Sequence, residues 1–110
     1  MRKLLYPFCE SEKIFHRVAK SESLFDIALR YGTTVHKIVL LNRLTSPPIP
    51  HTVLYIEKGQ NPLYIFKPSD SADKLAAKYN VSADELYKLN ETSYFYPFML
   101  IELPEKKNIR

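Results

Sequence analysis

PSDSADKLAAKYNVSADELYKLN, residues 68–90, is a turn followed by two short helices whose starts and stops can each be named. It decides the fold because it occurs twice. Laid over residues 20–42, KSESLFDIALRYGTTVHKIVLLN, it matches without a gap at a constant offset of 48. Ser21 falls on Ser69, Ser23 on Ser71, Ile27 on Leu75, Ala28 on Ala76, Tyr31 on Tyr79, Leu41 on Leu89 and Asn42 on Asn90. A self-similar stretch of this length marks two supersecondary units in tandem.

Within the first copy, Ser23 offers a side-chain acceptor to the free amides of a helix start, and Asp26 stands at the reciprocal position of a capping box. Leu24, Ile27, Ala28 and Tyr31 recur at spacings of three and four, which puts them on one helical face. Gly32 ends that helix in the left-handed position that glycine enters without steric cost, and Asn80 takes the matching place in the second copy. The next helices begin at Thr34 and Ser82. Ser82-Ala83-Asp84-Glu85 is a full capping box, whereas the first copy has Lys37 where the acid should be. Val35, Ile38 and Leu41, matched by Ala83, Leu86 and Leu89, form the expected buried stripe. Asn42 and Asn90 close these helices, where an asparagine can turn left-handed and bond nearby backbone with its amide.

Before each helix pair lies a short β-leaning stretch, residues 15–19 and 64–66, and after each a proline loop and a second strand, residues 53–56 and 100–103. Each unit therefore reads strand, helix, helix, strand. The fold class is α+β: two tandem βααβ modules, each a two-stranded antiparallel sheet with two helices on one face. The expected division is an N-terminal arm over residues 1–13, a first unit over 14–58, a linker over 59–61, a second unit over 62–105 and a tail over 106–110. The linker is too short for a free tether, so the units should be close neighbours.

Composition supports this scale. The chain has 110 residues and is 45% hydrophobic, an ordinary globular balance. Units of about 45 residues sit where buried area barely offsets chain entropy, so they are expected to lean on each other or on a partner. Cys9 is the single cysteine, which excludes an internal disulfide, and it reads as a small buried hydrophobe. No Cys and His stand at zinc spacing, and no cofactor is expected. The net charge of +4 is concentrated in the first half, where nine Lys or Arg face five Asp or Glu up to Lys58. No basic run or basic-aromatic interleaving accompanies it, which argues against nucleic acid. The apolar run near the N-terminus is interrupted by Pro7 and is too short for an export signal, and no stretch approaches a membrane span. The location of the chain is left open, with a cell envelope or spore surface as the site of action if it meets an extracellular polymer.

The ordered series of features resembles the LysM (lysin motif) family, small βααβ modules that bind glycans containing N-acetylglucosamine, chiefly peptidoglycan and chitin. In the first unit the resemblance is carried by His16-Arg17-Val18, Ser21-Glu22-Ser23-Leu24, Ile27-Ala28, Tyr31-Gly32 and Leu41-Asn42. In the second it is carried by Tyr64-Ile65-Phe66, Ser69-Asp70-Ser71, Leu75-Ala76, Tyr79-Asn80-Val81, Leu89-Asn90, Tyr96-Pro97-Phe98-Met99 and Leu103-Pro104. The resemblance implies a shallow groove between the loop after the first strand and the loop before the second. Carried over residue by residue, the first groove would be Ser21, Glu22, Ser23 and Leu24 facing Ile49, Pro50, His51 and Thr52. The second would be Ser69, Asp70 and Ser71 facing Tyr94, Tyr96, Pro97, Phe98 and Met99. Where the family has groove glycines this chain has Ser21, Ser69, His51 and Phe98, so each groove is expected to be narrowed by side chains.

The implied activity is non-catalytic binding of peptidoglycan or a chitin-like glycan. The alternative is a structural or assembly protein of an envelope or spore coat that uses the same surfaces for protein contact. Catalysis is not expected: Glu22 and Asp70 stand one per groove, and glycosidase chemistry needs two carboxylates flanking one bond. His16, His36 and His51 have no partner at metal or triad spacing and read as surface or packing residues. The run 94–99 is either a sugar-stacking platform or interface anchor, or packing against the first unit, and Phe25, Val39 and Leu40 are candidates for contact between units or with a partner.

Overall fold

The computed structural model describes residues 13–104. Cys9 and the rest of the expected N-terminal arm up to residue 12, with the C-terminal tail, lie outside the described residues, while Lys13 belongs to the first strand. In chain order the elements are β1 (Lys13–Arg17), α1 (Leu24–Tyr31), α2 (Val35–Asn42), β2 (Val53–Glu57), β3 (Leu63–Ile65), α3 (Ala72–Lys78), α4 (Ala83–Leu89) and β4 (Leu100–Glu102). β1 pairs antiparallel with β2, Lys13 opposite Glu57 and Arg17 opposite Val53, and β3 pairs antiparallel with β4, Leu63 opposite Glu102. The architecture is the expected α+β pair of βααβ units. None of the described helices is long and apolar enough to cross a membrane.

The helix starts follow the sequence signals. Ser23 and Ser82 each form a capping box, with Asp26 and Glu85 as the reciprocal acids, while Thr34 and Ser71 accept from the amides of Lys37 and Lys74. The ends differ in detail. Gly32 and Asn80 are left-handed as expected, but at the second helices that role falls one residue later, on Arg43 (φ 52°) and Glu91 (φ 56°). Asn42 and Asn90 keep negative φ because their amides have another task. Asn90 donates to the carbonyls of Leu86 and Glu102 and accepts from the amide of Glu102, and Asn42 does the same with Ile38 and Tyr55. Each asparagine thus ties the end of the second helix to the second strand, filling backbone groups that neither element could satisfy alone. Of the expected helical stripe, Ile38 and Leu86 are fully buried, but Leu41 is 37% exposed. It lies one turn beyond Ile38, at the rim of a cleft with Leu40 and Glu91.

Each unit has its own core. Val18, Ile27, Ala28, Ile38, Leu54 and Ile56 fill the first, and Phe66, Leu75, Ala76, Leu86, Phe95, Met99, Ile101 and Leu103 fill the second. One buried residue crosses over: Leu100 of β4 lies in the first core, with half-buried Leu63 of β3 packed against the same cluster. Strand geometry explains how. Alternate residues of a strand face opposite sides, so Met99, Ile101 and Leu103 serve the second core while Leu100 and Glu102 face the first unit. All three residues of β4 are buried, in contrast to the alternating exposure of β2. β4 is sandwiched between the units.

Polar contacts close this junction. The buried Glu102 carboxylate accepts from Lys37 Nζ at 3.0 Å and from Asn61 Nδ2 at 2.9 Å. His36 Nε2 donates to the carbonyl of Glu91, and the Gly59 amide donates to the carbonyl of Tyr31. Gly59 passes so close to the end of α1 that a Cβ there would lie 2.0 Å from the Gly32 carbonyl oxygen. The two glycines of the chain therefore meet each other, and the linker is seated on the first unit. Lys37, the residue that denies α2 a capping box, is the one that reaches across to Glu102.

Candidate functional site

In both units the last backbone bonds of the sheet bring the two loops of the expected groove together. The Val18 amide donates to the Thr52 carbonyl at 2.8 Å and the His51 amide to the Val18 carbonyl at 2.7 Å. Phe66 makes the same pair with Met99 and Phe98, at 2.8 and 2.6 Å. The loop after the first strand and the loop before the second are thus side by side at one end of each sheet.

The loops before the second strands are the same turn built twice. Thr52 bonds back to Ile49, and Met99 to Tyr96, closing Ile49-Pro50-His51-Thr52 and Tyr96-Pro97-Phe98-Met99. Proline presets φ at the second position, and the third residue is left-handed: His51 at φ 76° and Phe98 at φ 68°. That is a type II turn, whose third position favours glycine. A histidine and a phenylalanine occupy it here, and for a bulky side chain this backbone is a strained outlier. The loops after the first strands differ. Glu22 bonds back to Ala19 with Ser21 at φ 68°, while Asp70 bonds back to Lys67 through Pro68 with Ser69 outside the left-handed region. Ser21 carries the strain expected of a replaced glycine, and Ser69 does not.

The side chains sort into those that face outward and those that build the loop. Ile49 and Phe98 are exposed over 72% and 70% of their surface, Tyr94 over 63% and Tyr96 over 48%. Pro50, His51, Pro97, Ser21, Ser23 and Ser69 are also exposed. Leu24 is half-buried against the first core, and Thr52 and Ser71 are half-buried. Met99 is corrected by the structure: its side chain lies in the second core, and its amide and carbonyl are committed to Tyr96 and Phe66. Phe95 is buried beside it, its ring against those of Phe66 and Tyr87. The run 94–99 therefore does not pack on the first unit. Phe95 and Met99 enter the second unit's own core while the residues around them face solvent, leaving Tyr94, Tyr96 and Phe98 as outward aromatic side chains. Phe25, with Leu29, lines an apolar cleft of about 470 Å³ against Leu63, Tyr64, Ile65 and Leu100, so it faces the other unit as expected.

Glu22 and Asp70 brace the loops. Glu22 Oε1 accepts from the Ala19 amide at 2.9 Å and from His16 Nε2 at 2.8 Å. Asp70 Oδ2 accepts from the Lys67 amide at 2.8 Å and from the Tyr64 hydroxyl at 2.5 Å. The Ala19 amide, with His16, holds the Glu22 carboxyl below its ordinary range, and the Tyr64 hydroxyl, then the Lys67 amide, do so for Asp70. The same bond pushes the Tyr64 phenol up. His16 also meets the Tyr31 hydroxyl through Nδ1 at 2.7 Å. Sequence reading assigned His16 to packing and did not couple it to Glu22. The signal was present in the repeat: His16 and Tyr64, like Glu22 and Asp70, stand 48 residues apart. Among the described residues no group of three or more His, Cys, Asp or Glu is placed to hold a metal ion.

What the site offers is a surface with apolar and aromatic side chains on one loop and short hydroxyls and backbone on the other. Such a surface suits a neutral, ring-shaped polar ligand, whose CH faces need apolar cover and whose hydroxyl and amide groups need a few hydrogen bonds.

Comparison with known proteins places these geometries in a family. The chain is 30% identical over 92 residues to N-acetylmuramoyl-L-alanine amidase sle1 of Staphylococcus epidermidis, covering 76% of this chain and 28% of that protein. It is likewise 30% identical over 95 residues to the sle1 amidase of Staphylococcus haemolyticus, covering 76% of this chain and 29% of that one. The chain thus spans less than a third of the length of these curated relatives. Among solved structures it resembles the spore cortex-lytic enzyme SleL of Bacillus megaterium, at 24% identity and a TM-score of 0.45 over 87% of this chain and 23% of that one. For SleL of Bacillus cereus the identity is 24% and the TM-score 0.40, over 86% and 23%. The LysM domain profile matches residues 16–56 and 64–93, one segment in each βααβ unit. The chain belongs to the LysM domain family, with two tandem copies.

Proposed function

We propose that this chain is a non-catalytic module pair that binds N-acetylglucosamine-containing glycan of the peptidoglycan type through the two loop grooves. The observation that carries the proposal is the repeated pair of proline type II turns, each displaying exposed apolar side chains beside the hydroxyl-bearing loop of the same unit. Family membership supports it, as does the similarity to amidases named for a cell-wall bond. Each groove by itself should bind weakly. Two grooves on one polymer raise the apparent affinity by about 10² to 10⁴ where both engage. The Tyr94, Tyr96 and Phe98 face makes the second groove the stronger candidate for stacking on a sugar ring. One specific feature favours a second reading, protein contact through the same loops: the Phe98 side chain stands where a glycine would leave the backbone open to a ligand.

The test is co-sedimentation of the purified chain with insoluble peptidoglycan, with the supernatant assayed for released sugar and peptide fragments. Retention of the chain on the polymer without fragment release is expected. Retention with fragment release would refute the non-catalytic part, and failure to sediment would refute glycan binding. Phe98→Gly separates the two readings. If the ring stacks on sugar, sedimentation falls; if it only obstructs the backbone, sedimentation rises.

A further inference from the structure

The two groove loops are braced by equivalent but chemically different pairs. In each, a carboxylate accepts the amide that starts the loop turn, and a side chain from the first strand steadies that carboxylate. In the second unit the steadying group is the Tyr64 hydroxyl, a phenol that is protonated at neutral pH in any case and whose bond to Asp70 pushes its ionisation further upward. In the first unit it is the His16 imidazole, whose side-chain surface is only 10% exposed. Histidine is the side-chain type that changes charge between about pH 5 and 8.

The protons can be assigned by chemistry. An ionised carboxylate only accepts, so His16 Nε2 carries the hydrogen shared with Glu22, and Nδ1 of the neutral ring accepts from the Tyr31 hydroxyl. A second proton on the ring reverses the Tyr31 bond and turns the Glu22 contact into one between opposite charges, which are the shorter and stronger hydrogen bonds. Besides its own two members, two charged or titratable groups face this pair among the described residues. Tyr31 and Arg30 come from α1, with Arg30 3.8 Å from Glu22, and Glu22 comes from the loop itself. Across the sheet His16 stands opposite Leu54.

We infer that His16 is a positioning residue for the first groove: acting through Glu22, it holds the 19–23 loop more firmly when its ring is protonated. The first unit then takes glycan more tightly with that ring protonated, while the second, braced by Tyr64, does not change. This rests on the glycan-binding reading. A loop already held in place loses less freedom on binding.

The test follows backbone amides of the labelled full chain from pH 8 to pH 5.5, then titrates an N-acetylglucosamine oligomer at each end of that range. The Ala19 amide should titrate together with the His16 ring, the Lys67 amide should stay flat, and affinity at the first groove should rise about two- to fivefold on acidification. His16→Tyr copies the second unit's pair, and Tyr31 has Tyr79 at the matching place, so this variant should keep the fold and lose the response. His51, exposed in the same groove, is the competing source of pH dependence, and with His51→Asn the Ala19 response should persist. An Ala19 amide that ignores the titration of the His16 ring would overturn the inference, as would a response that survives His16→Tyr. If neither groove binds glycan at either pH, the functional reading falls along with the affinity change, whereas the Ala19 titration still decides whether the brace exists.

Discussion

The two units share one plan and solve its stability problem differently. The first has the longer sheet, five residues a strand, and an aliphatic core that is completed from outside by Leu100. The second has strands of three residues, yet its core is larger and holds Phe66, Phe95 and Met99, with no residue of the first unit among its buried members. Aromatic side chains bury large areas each and can substitute for sheet length. The difference teaches that the apolar dependence between the units is one-sided, while the polar contacts of Lys37 and His36 tie the second unit to the first. Both faces of β4 are used, one to close its own unit and the other to finish its neighbour.

Removing the crossover residue should break this relation most clearly. Leu100→Ala should cost about 2 to 4 kcal/mol, the range for emptying a buried leucine site. In amide exchange the loss of protection should concentrate at residues 27, 28, 38 and 54, in the unit that Leu100 does not belong to. Equal loosening of both units would contradict the one-sided account.

Lys37→Glu probes the polar side of the junction. It would give α2 the capping box that α4 has, a gain of well under about 1 kcal/mol, and would set a second carboxylate against the buried Glu102. The expected net result is a loss of about 2 to 3 kcal/mol in denaturant unfolding, because a buried charge left without its partner is costly. A stabilised variant would show that the ion pair is incidental.

These two residues also mark what was legible in the sequence. The repeat, the serine and threonine caps, Gly32 and Asn80, and the order of elements could be read because each rests on local chemistry. The role of Lys37 could be seen only as a gap, a missing acid in a capping box, since its partner is 65 residues away. Leu100 looked like any strand residue, because period-two alternation tells which residues share a face and not which face meets a neighbouring unit. In the groove, the turn positions at His51 and Phe98 were legible only through the resemblance, which puts family glycines there. Ser69 was not, because Pro68 and Ser69 admit a turn with no left-handed residue. Met99 sat among groove residues in the sequence but turns inward, on the same strand face as Ile101 and Leu103.

The asparagine pins sharpen the comparison further. Asn90 is 1% exposed while Asn42 is only half-buried, although their hydrogen bonds correspond one for one. Asn90→Ala should therefore cost about 2 to 3 kcal/mol and Asn42→Ala about 1 to 2, since water can reach the groups orphaned in the first unit. Thermal unfolding of the two variants checks the order. The reverse order would mean that accessibility does not set the penalty.

The smallest effect concerns acid. Glu22 and Asp70 are both held below their ordinary ionisation, so each stabilises its loop at neutral pH and ceases to do so as pH falls through the lowered values, below 4.5 and 3.8 respectively. Amides of residues 19–23 and 67–71 should lose protection in that acid range before the cores do. Glu22→Gln and Asp70→Asn should remove the acid step from the loop they belong to and from no other.

The central claim, that the paired loops of each unit form a glycan groove, is tested most directly by adding N-acetylglucosamine oligomers to the labelled chain at neutral pH and mapping amide shifts. The account predicts saturable shifts confined to residues 21–24, 49–52, 69–71 and 94–98, larger in the second unit. A flat response at high ligand concentration, or shifts centred on the junction around Leu100 and Glu102, would contradict it.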